Sequence, residues 1–175
     1  KVVAKAMDVF GHIDILVNNA GMIKRNPILE SKDKDWDQVI AINLSAVYHM
    51  SLAASKEFAK QKSGKIINIG SMLSFQGWKF IPSYTAAKHG VAGLTKAFAR
   101  EMAAYNVQVN AIAPGYIKTA NTAPIRADKA RNDEILGRIA AGHWGEPYEL
   151  MGLSVFQASN AANYIYGDII PVDGG

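Results

Sequence analysis

The sequence predicts an α/β fold: a doubly wound parallel sheet in one domain over residues 1–175. Two observations predict it. Short apolar runs of strand length alternate with longer stretches of helical period. Those runs are almost continuously apolar instead of alternating, as in parallel strands covered on both faces. The order reads strand, helix, strand, helix, strand, lid, helix, strand, which implies right-handed crossovers and helices on both sides of the sheet.

Val2 to Phe10 reads as the end of a helix with Gly11 just past it. IDILVNNAG supplies a first strand, Ile13 to Val17, that breaks into a turn at Asn18 and Asn19, residues tolerant of left-handed backbone. Met22 to Ser31 reads as a polar loop, and Lys32 to Asp37 lead into a second helix. The apolar residues of that helix, from Trp36 through Leu52, fall on more than one face, which suggests burial on two sides. Asn43 stands polar among them, where a satisfied core amide is the ordinary expectation.

Gly64 to Gly70, GKIINIG, reads as a buried strand, so Ser71 sits where a strand ends. The helix beyond carries Val91, Leu94, Phe98 and Met102 at helical spacing, with small residues that admit a close neighbour. VQVNAIA, Val107 to Ala113, is the next strand, ended by Pro114 and Gly115. Thr119 to Gly145 is polar and weakly helical, as expected of a lid over a site. Glu146 and Pro147 open a last helix, and GDIIPVDGG closes the chain as a strand.

Composition excludes several classes. A chain that is 49% hydrophobic and 19% charged suits one globular domain with a core. The net charge of +4 comes without a run of five like charges, so no nucleic-acid partner is expected. There is no cysteine, hence no disulfide and no thiolate metal site, and no metal is expected. No apolar run approaches the ~18 residues of a membrane span, and the start carries Asp8 where a signal peptide would be apolar. A cytoplasmic protein is expected.

The chemistry concentrates between Ser71 and Lys88. Tyr84 and Lys88 are four apart on a helix, which stacks them on one face one turn apart. Ser71 faces them from a strand's carboxyl end, the edge where open α/β sheets bind ligands. A tyrosine hydroxyl ionises near pH ~10 and is a poor base at neutrality. An ammonium nearby favours the phenolate, and a serine could hold a substrate oxygen against it. Such a trio suits moving a proton on or off an alcohol or carbonyl oxygen.

These residues resemble the active-site segment of the short-chain dehydrogenase/reductase superfamily. Ser71 stands 13 residues before Tyr84, Asn43 stands 28 before Ser71, and NNAG is present as Asn18, Asn19, Ala20 and Gly21. The family's PG turn is Pro114–Gly115, followed by Ile117 and Thr119. The resemblance implies a Rossmann-like fold with Asn43, Ser71, Tyr84 and Lys88 as the catalytic set. Tyr84 would be the acid/base, Ser71 would orient the oxygen, Lys88 would lower the tyrosine pKa and hold a ribose, and Asn43 would support a proton-relay water. It implies a nicotinamide cofactor, NAD with NADP as the other form, against Asn18, Ala20, Gly21, Tyr84, Lys88, Pro114, Gly115, Ile117 and Thr119. A homotetramer pairing the Asn43 and Tyr84 helices is implied as well.

Within the superfamily, INIGSMLSFQG, VNAIAPGYIKTANT and HWGEPYELMG are similar to the 2-deoxy-D-gluconate 3-dehydrogenases, also described as 2-dehydro-3-deoxy-D-gluconate 5-dehydrogenases. That likeness implies a keto or deoxy sugar acid as substrate, with Ser71, Met72, Gln76, Tyr84, Asn121 and Arg126 around it. Gluconate 5-dehydrogenase, another short-chain alcohol or ketone reductase, and a catalytically silent oligomerisation partner are the alternatives. His143 departs from an expected arginine, and Trp78 and Lys79 fill a position that is often small. No two of the 15 glycines are two positions apart, so the family's glycine-rich phosphate turn is not among these residues. The expectation is therefore the second two-thirds of the family fold, lacking its first three strands, with the residues before Lys1 lost from an incomplete sequence.

Overall fold

A computed structural model describes residues 1–175. Four strands, β1 (Ile15–Asn18), β2 (Gly64–Ile69), β3 (Val107–Pro114) and β4 (Ile169–Val172), form one sheet in that order, every pairing parallel. Seven α-helices accompany it: α1 (Val2–Phe10), α2 (Asp33–Ile40), α3 (Ala46–Gln61), α4 (Pro82–Met102), α5 (Ala123–Ala127), α6 (Lys129–Leu136) and α7 (Met151–Ala158). The α/β parallel architecture expected from the apolar runs is the one observed. Seven of eight β3 residues are buried, as a strand covered on both faces requires. No helix is long and apolar enough to cross a membrane.

The strand expected from Ile13 begins two residues later. The Ile13 carbonyl accepts from Gln61 Nε2 at 2.8 Å, so its backbone is used to tie off the end of α3 instead of extending the ladder. Helices α3 and α4 lie on one face of the sheet over a core of Ala54, Phe58, Ile66, Ala99, Val107 and Val109. On the other face α7 packs against β2 and β3. There Lys65, made less basic by burial, donates to Gln108 Oε1 and to Asn163 Oδ1 at 2.9 and 2.8 Å.

Gly64 shows how tightly the first face is packed. A Cβ there would lie 2.3 Å from Cγ of Phe58, which is 0% exposed. Overpacking a dense core costs roughly 1–3 kcal/mol, and the fixed ring puts Gly64→Ala at the upper end of that range. The midpoint of urea unfolding is expected to fall accordingly.

Two features join the layers near the site. A charge-free chain of side chains runs from helix to sheet to helix. Asn18 Nδ2 donates to Ser51 Oγ (3.0 Å) and to Asn68 Oδ1 (2.8 Å), and Asn68 Nδ2 donates to Thr95 Oγ1 (2.9 Å). Every member is buried, and each such bond is stronger there than in water. The second feature is a π turn, Ala41–Ser45, inserted between α2 and α3, in which the Ala46 N–H reaches back to the Ala41 carbonyl. It explains the two-faced apolar pattern of the long helix. Val39, Asn43, Val47 and Ser51 are all buried at strict four-residue spacing, which a plain α-helix would let drift by about 40° per step.

The stretch expected as a weakly helical lid carries two short helices. Helices α5 and α6 enclose a small cluster of Ile135, Ile139 and Trp144, with Tyr116 packed edge-on to Trp144 at 5.4 Å between ring centroids. The Ala141 N–H donates to the Gly174 carbonyl, and Gly145 pairs with Tyr116 and Lys118. The segment is therefore anchored to the exit of β3 and to the last residues of the chain.

Candidate active site

Three strand ends meet at the carboxyl edge of the sheet: Asn18 to Gly21 after β1, Gly70 and Ser71 after β2, and Pro114 and Gly115 after β3. Tyr84 and Lys88 rise beside them in the first two turns of α4, which Pro82 opens at its first position. Gly115 is required by close approach, since a Cβ there would come within 2.5 Å of the Asp173 backbone.

Ser71 lies in extended backbone and caps the short 3-10 turn Met72–Ser74. Its Oγ accepts the Leu73 N–H at 3.2 Å, which leaves the hydroxyl proton free to be donated. Ser74 Oγ in turn donates to the Lys88 carbonyl at 3.0 Å and so locks the turn onto α4.

Lys88 is only 5% exposed, and its Nζ donates to the Ile69 carbonyl at 2.6 Å. Burial lowers its pKa to about 8. The ammonium lies 5.4 Å from the centroid of the Tyr84 ring. Burial raises the Tyr84 pKa above its ordinary value, while the Ser71 hydroxyl and the charge of Arg25 pull it down. The net shift is thus opposite to the one expected from Lys88 alone. The ammonium is pinned to the Ile69 carbonyl beside the ring, and the charge of Arg25 adds a smaller pull toward the phenolate.

Arg25 is the residue that sequence reasoning missed. It sits in the loop after β1, is exposed and takes part in no ion pair. Nothing in its spacing from Tyr84 announces the approach, because the loop must first fold back. Asn43 folds it. Its amide accepts the Met22 N–H at 2.8 Å and donates to the Met22 carbonyl at 2.6 Å, with the side chain wholly buried. Gly21 stands against that amide, where a Cβ would meet Oδ1 at 3.1 Å.

The remaining expected residues divide. Asn18 is spent on the internal amide and hydroxyl chain, whereas Ala20 and Gly21 are exposed at the strand end. Ile117 is buried against Gly145, and Thr119 caps the 3-10 turn Ala120–Thr122 on the exposed side. Met72 is half-buried, and Gln76 and Asn121 are exposed. Arg126 donates to the Thr119 carbonyl at 3.3 Å. Arg138 lies 4.4 Å from the ring centroid of Trp78, so the unexpected tryptophan clasps the lid segment by a cation–π contact.

Comparison with known proteins places the chain among dehydrogenases. A family profile described as enoyl-(acyl carrier protein) reductase matches residues 1–175. The chain is 57% identical over 172 residues to a 2-dehydro-3-deoxy-D-gluconate 5-dehydrogenase of Escherichia coli (strain K12), covering 98% of this chain and 68% of that protein. It is 53% identical over 174 residues to the protein of the same name from Dickeya dadantii (strain 3937), covering 99% and 69%. Among solved structures, a gluconate 5-dehydrogenase from Burkholderia cenocepacia J2315 in complex with NADP and tartrate superposes with a TM-score of 0.97 at 36% identity, covering 99% of this chain and 68% of that one. The chain spans about two thirds of the length of these relatives.

Proposed function

Because the chain belongs to the short-chain dehydrogenase/reductase family, we propose that its site interconverts an alcohol and a ketone on a sugar acid, 2-dehydro-3-deoxy-D-gluconate or 2-deoxy-D-gluconate, with a nicotinamide dinucleotide as redox partner. The observation that carries this reading is the half-buried Tyr84 phenol, with Lys88 beside its ring and the Ser71 hydroxyl and the Arg25 charge both favouring its ionisation.

The residues fit such a cofactor at its nicotinamide end. Lys88 has used one of its three N–H donors on Ile69, and the other two can take the vicinal hydroxyls of a ribose. The exposed backbone of Ala20 and Gly21 and the Pro114–Gly115 turn offer surface on either side. The dinucleotide, when bound, takes up or supplies the hydride. NADP is the form named with the Burkholderia relative, so it is to be tested beside the NAD expected from the sequence.

The chain's own residues handle the proton. In the reducing direction Tyr84, kept protonated by burial, gives its proton to the keto oxygen, which Ser71 holds by donating its free hydroxyl proton. In the oxidising direction the phenolate takes the proton of the substrate hydroxyl. Asn43 supports the proton exchange by holding the Met22 backbone beside the site, and a relay water there remains part of the proposal. The homotetramer is part of it too, and a shallow groove lined by Leu44 of the π turn, Tyr48 of α3 and Gly90 and Leu94 of α4 supports association through that face.

An acid substrate needs a cation, and Arg25 is unpaired and acts on Tyr84. Arg25→Leu is expected to raise KM for the sugar acid tenfold to a hundredfold, the equivalent of one lost charged hydrogen bond of about 1.5–3 kcal/mol. KM for the corresponding uncharged alditol should not change. Equal KM values for the acid in both proteins would remove Arg25 from substrate recognition. Absence of turnover with every sugar acid and either cofactor form would favour the silent-partner reading.

A further inference from the structure

The loop bearing Arg25 has no regular secondary structure between β1 and the 3-10 turn Ile28–Glu30. An exposed arginine on such a loop would sweep through many rotamers, and side-chain entropy opposes fixing it. Its neighbours are nevertheless held on both sides. Lys24 Nζ lies 3.8 Å from Oδ1 of Asp35, and Asn26 Nδ2 donates to Oδ2 of the same carboxylate at 3.1 Å. The two oxygens of one side chain therefore bracket Arg25 without neutralising it. Asp35 sits in the first turn of α2, where the helix dipole favours a negative charge.

A second hold acts at the same place. The Asn26 N–H donates to the Phe80 carbonyl at 2.9 Å. Phe80 has φ of 68°, a left-handed conformation that a bulky residue adopts only under strain. The residue is 48% exposed, so burial does little to offset that strain. What the strained backbone achieves is to turn its carbonyl toward Asn26. With Met22 gripped by Asn43 and Asn26 gripped by Phe80 and Asp35, the segment that carries Arg25 is fixed at both ends.

We propose that Asp35 is a positioning residue that sets the affinity for the acid substrate by holding Lys24 and Asn26, and with them the loop that carries Arg25. It rests on the reading of Arg25 given above, and it assigns to Asp35 no contact with substrate. An aspartate that merely began a helix would affect stability alone. A positioning aspartate also affects KM and the ionisation of Tyr84, and only while Arg25 is present.

The test is a double-substitution cycle on Asp35→Ala and Arg25→Leu, read by KM for 2-dehydro-3-deoxy-D-gluconate and by the ultraviolet titration of tyrosine in ligand-free protein. Asp35→Ala is expected to raise KM about tenfold in the presence of Arg25 and less than twofold in its absence, since residues acting as one unit are non-additive. It should also raise the Tyr84 pKa as Arg25→Leu does. Asp35→Asn, which keeps an acceptor for Asn26, should restore part of the KM and keeps the test valid if the alanine variant folds poorly. A KM increase of the same size with and without Arg25 would overturn the proposal. So would an unchanged KM in Asp35→Ala beside a raised one in Arg25→Leu, and that result would leave the reading of Arg25 intact. An unchanged KM in Arg25→Leu would overturn both.

Discussion

Replacing Tyr84 by phenylalanine should lower kcat by a factor of ~10² to 10⁴, the range supplied by a positioned general acid or base. The ring remains to pack beside the Lys88 ammonium, and Ser71 keeps its bond from the Leu73 N–H, so the fold should lose no more than about 1 kcal/mol. KM for the sugar acid should stay within a few-fold, because the cation proposed to meet the carboxylate is untouched. Steady-state rates followed at the nicotinamide absorbance, with thermal unfolding as the control, separate the two. A Tyr84→Phe protein retaining a tenth or more of its kcat would mean that the phenol carries no proton in the rate-limiting step.

The second large effect concerns Lys88 and is read as stability against pH. In the folded protein its pKa is lowered from 10.5 to about 8 by burial. Below pH ~8 the ammonium is charged in both folded and unfolded chains and its desolvation weighs on the fold. Between pH ~8 and ~10.5 the folded chain has released this proton while the unfolded chain still holds it, so stability rises with pH by up to about 3 kcal/mol. Tyr84 works in the opposite direction. Its raised pKa keeps the folded phenol neutral when the unfolded one ionises, so stability falls above pH ~10.

Lys88→Met should remove most of the rise between pH 8 and 10, leaving the part due to Lys65, whose pKa is also lowered by burial. Urea unfolding of ligand-free protein at intervals from pH 7 to 10 measures it. An unchanged slope in the methionine variant would show that Lys88 is not the titrating group. Activity should suffer as well, since the variant lacks the N–H donors proposed to hold the ribose.

What the sequence made legible, and what it concealed, follows from how local each feature is. Tyr84 and Lys88 share a helix face by spacing alone, and Ser71 ends a strand that its own apolar run defines. The four strands were legible for the same reason, although β1 starts later than expected because Gln61, distant in the chain, takes the Ile13 carbonyl. Arg25 was not legible, because its place depends on Asn43, Asp35 and Phe80, three residues on three other segments. Nor was the use of Asn18, whose amide turns inward to Ser51 and Asn68 only after β1, β2 and α3 have packed. The polar character of residues 119–145 hid a small apolar cluster, since Ile135, Ile139 and Trp144 come together through two short helices of weak pattern.

The π turn at Ala41–Ser45 also constrains how this helix can change over generations. One residue more or less in an α-helix rotates everything beyond it by about 100°. Loss of a single codon within the turn would leave a chain that still reads as a good helix. Yet Val39 and Val47 would no longer fall on one buried row, and the Asn43 amide would leave the Met22 backbone. Ordinary substitutions are open to the exposed positions of this helix, whereas single-residue length changes are closed to it. Descendants of the protein are therefore expected to differ here in letters and not in length.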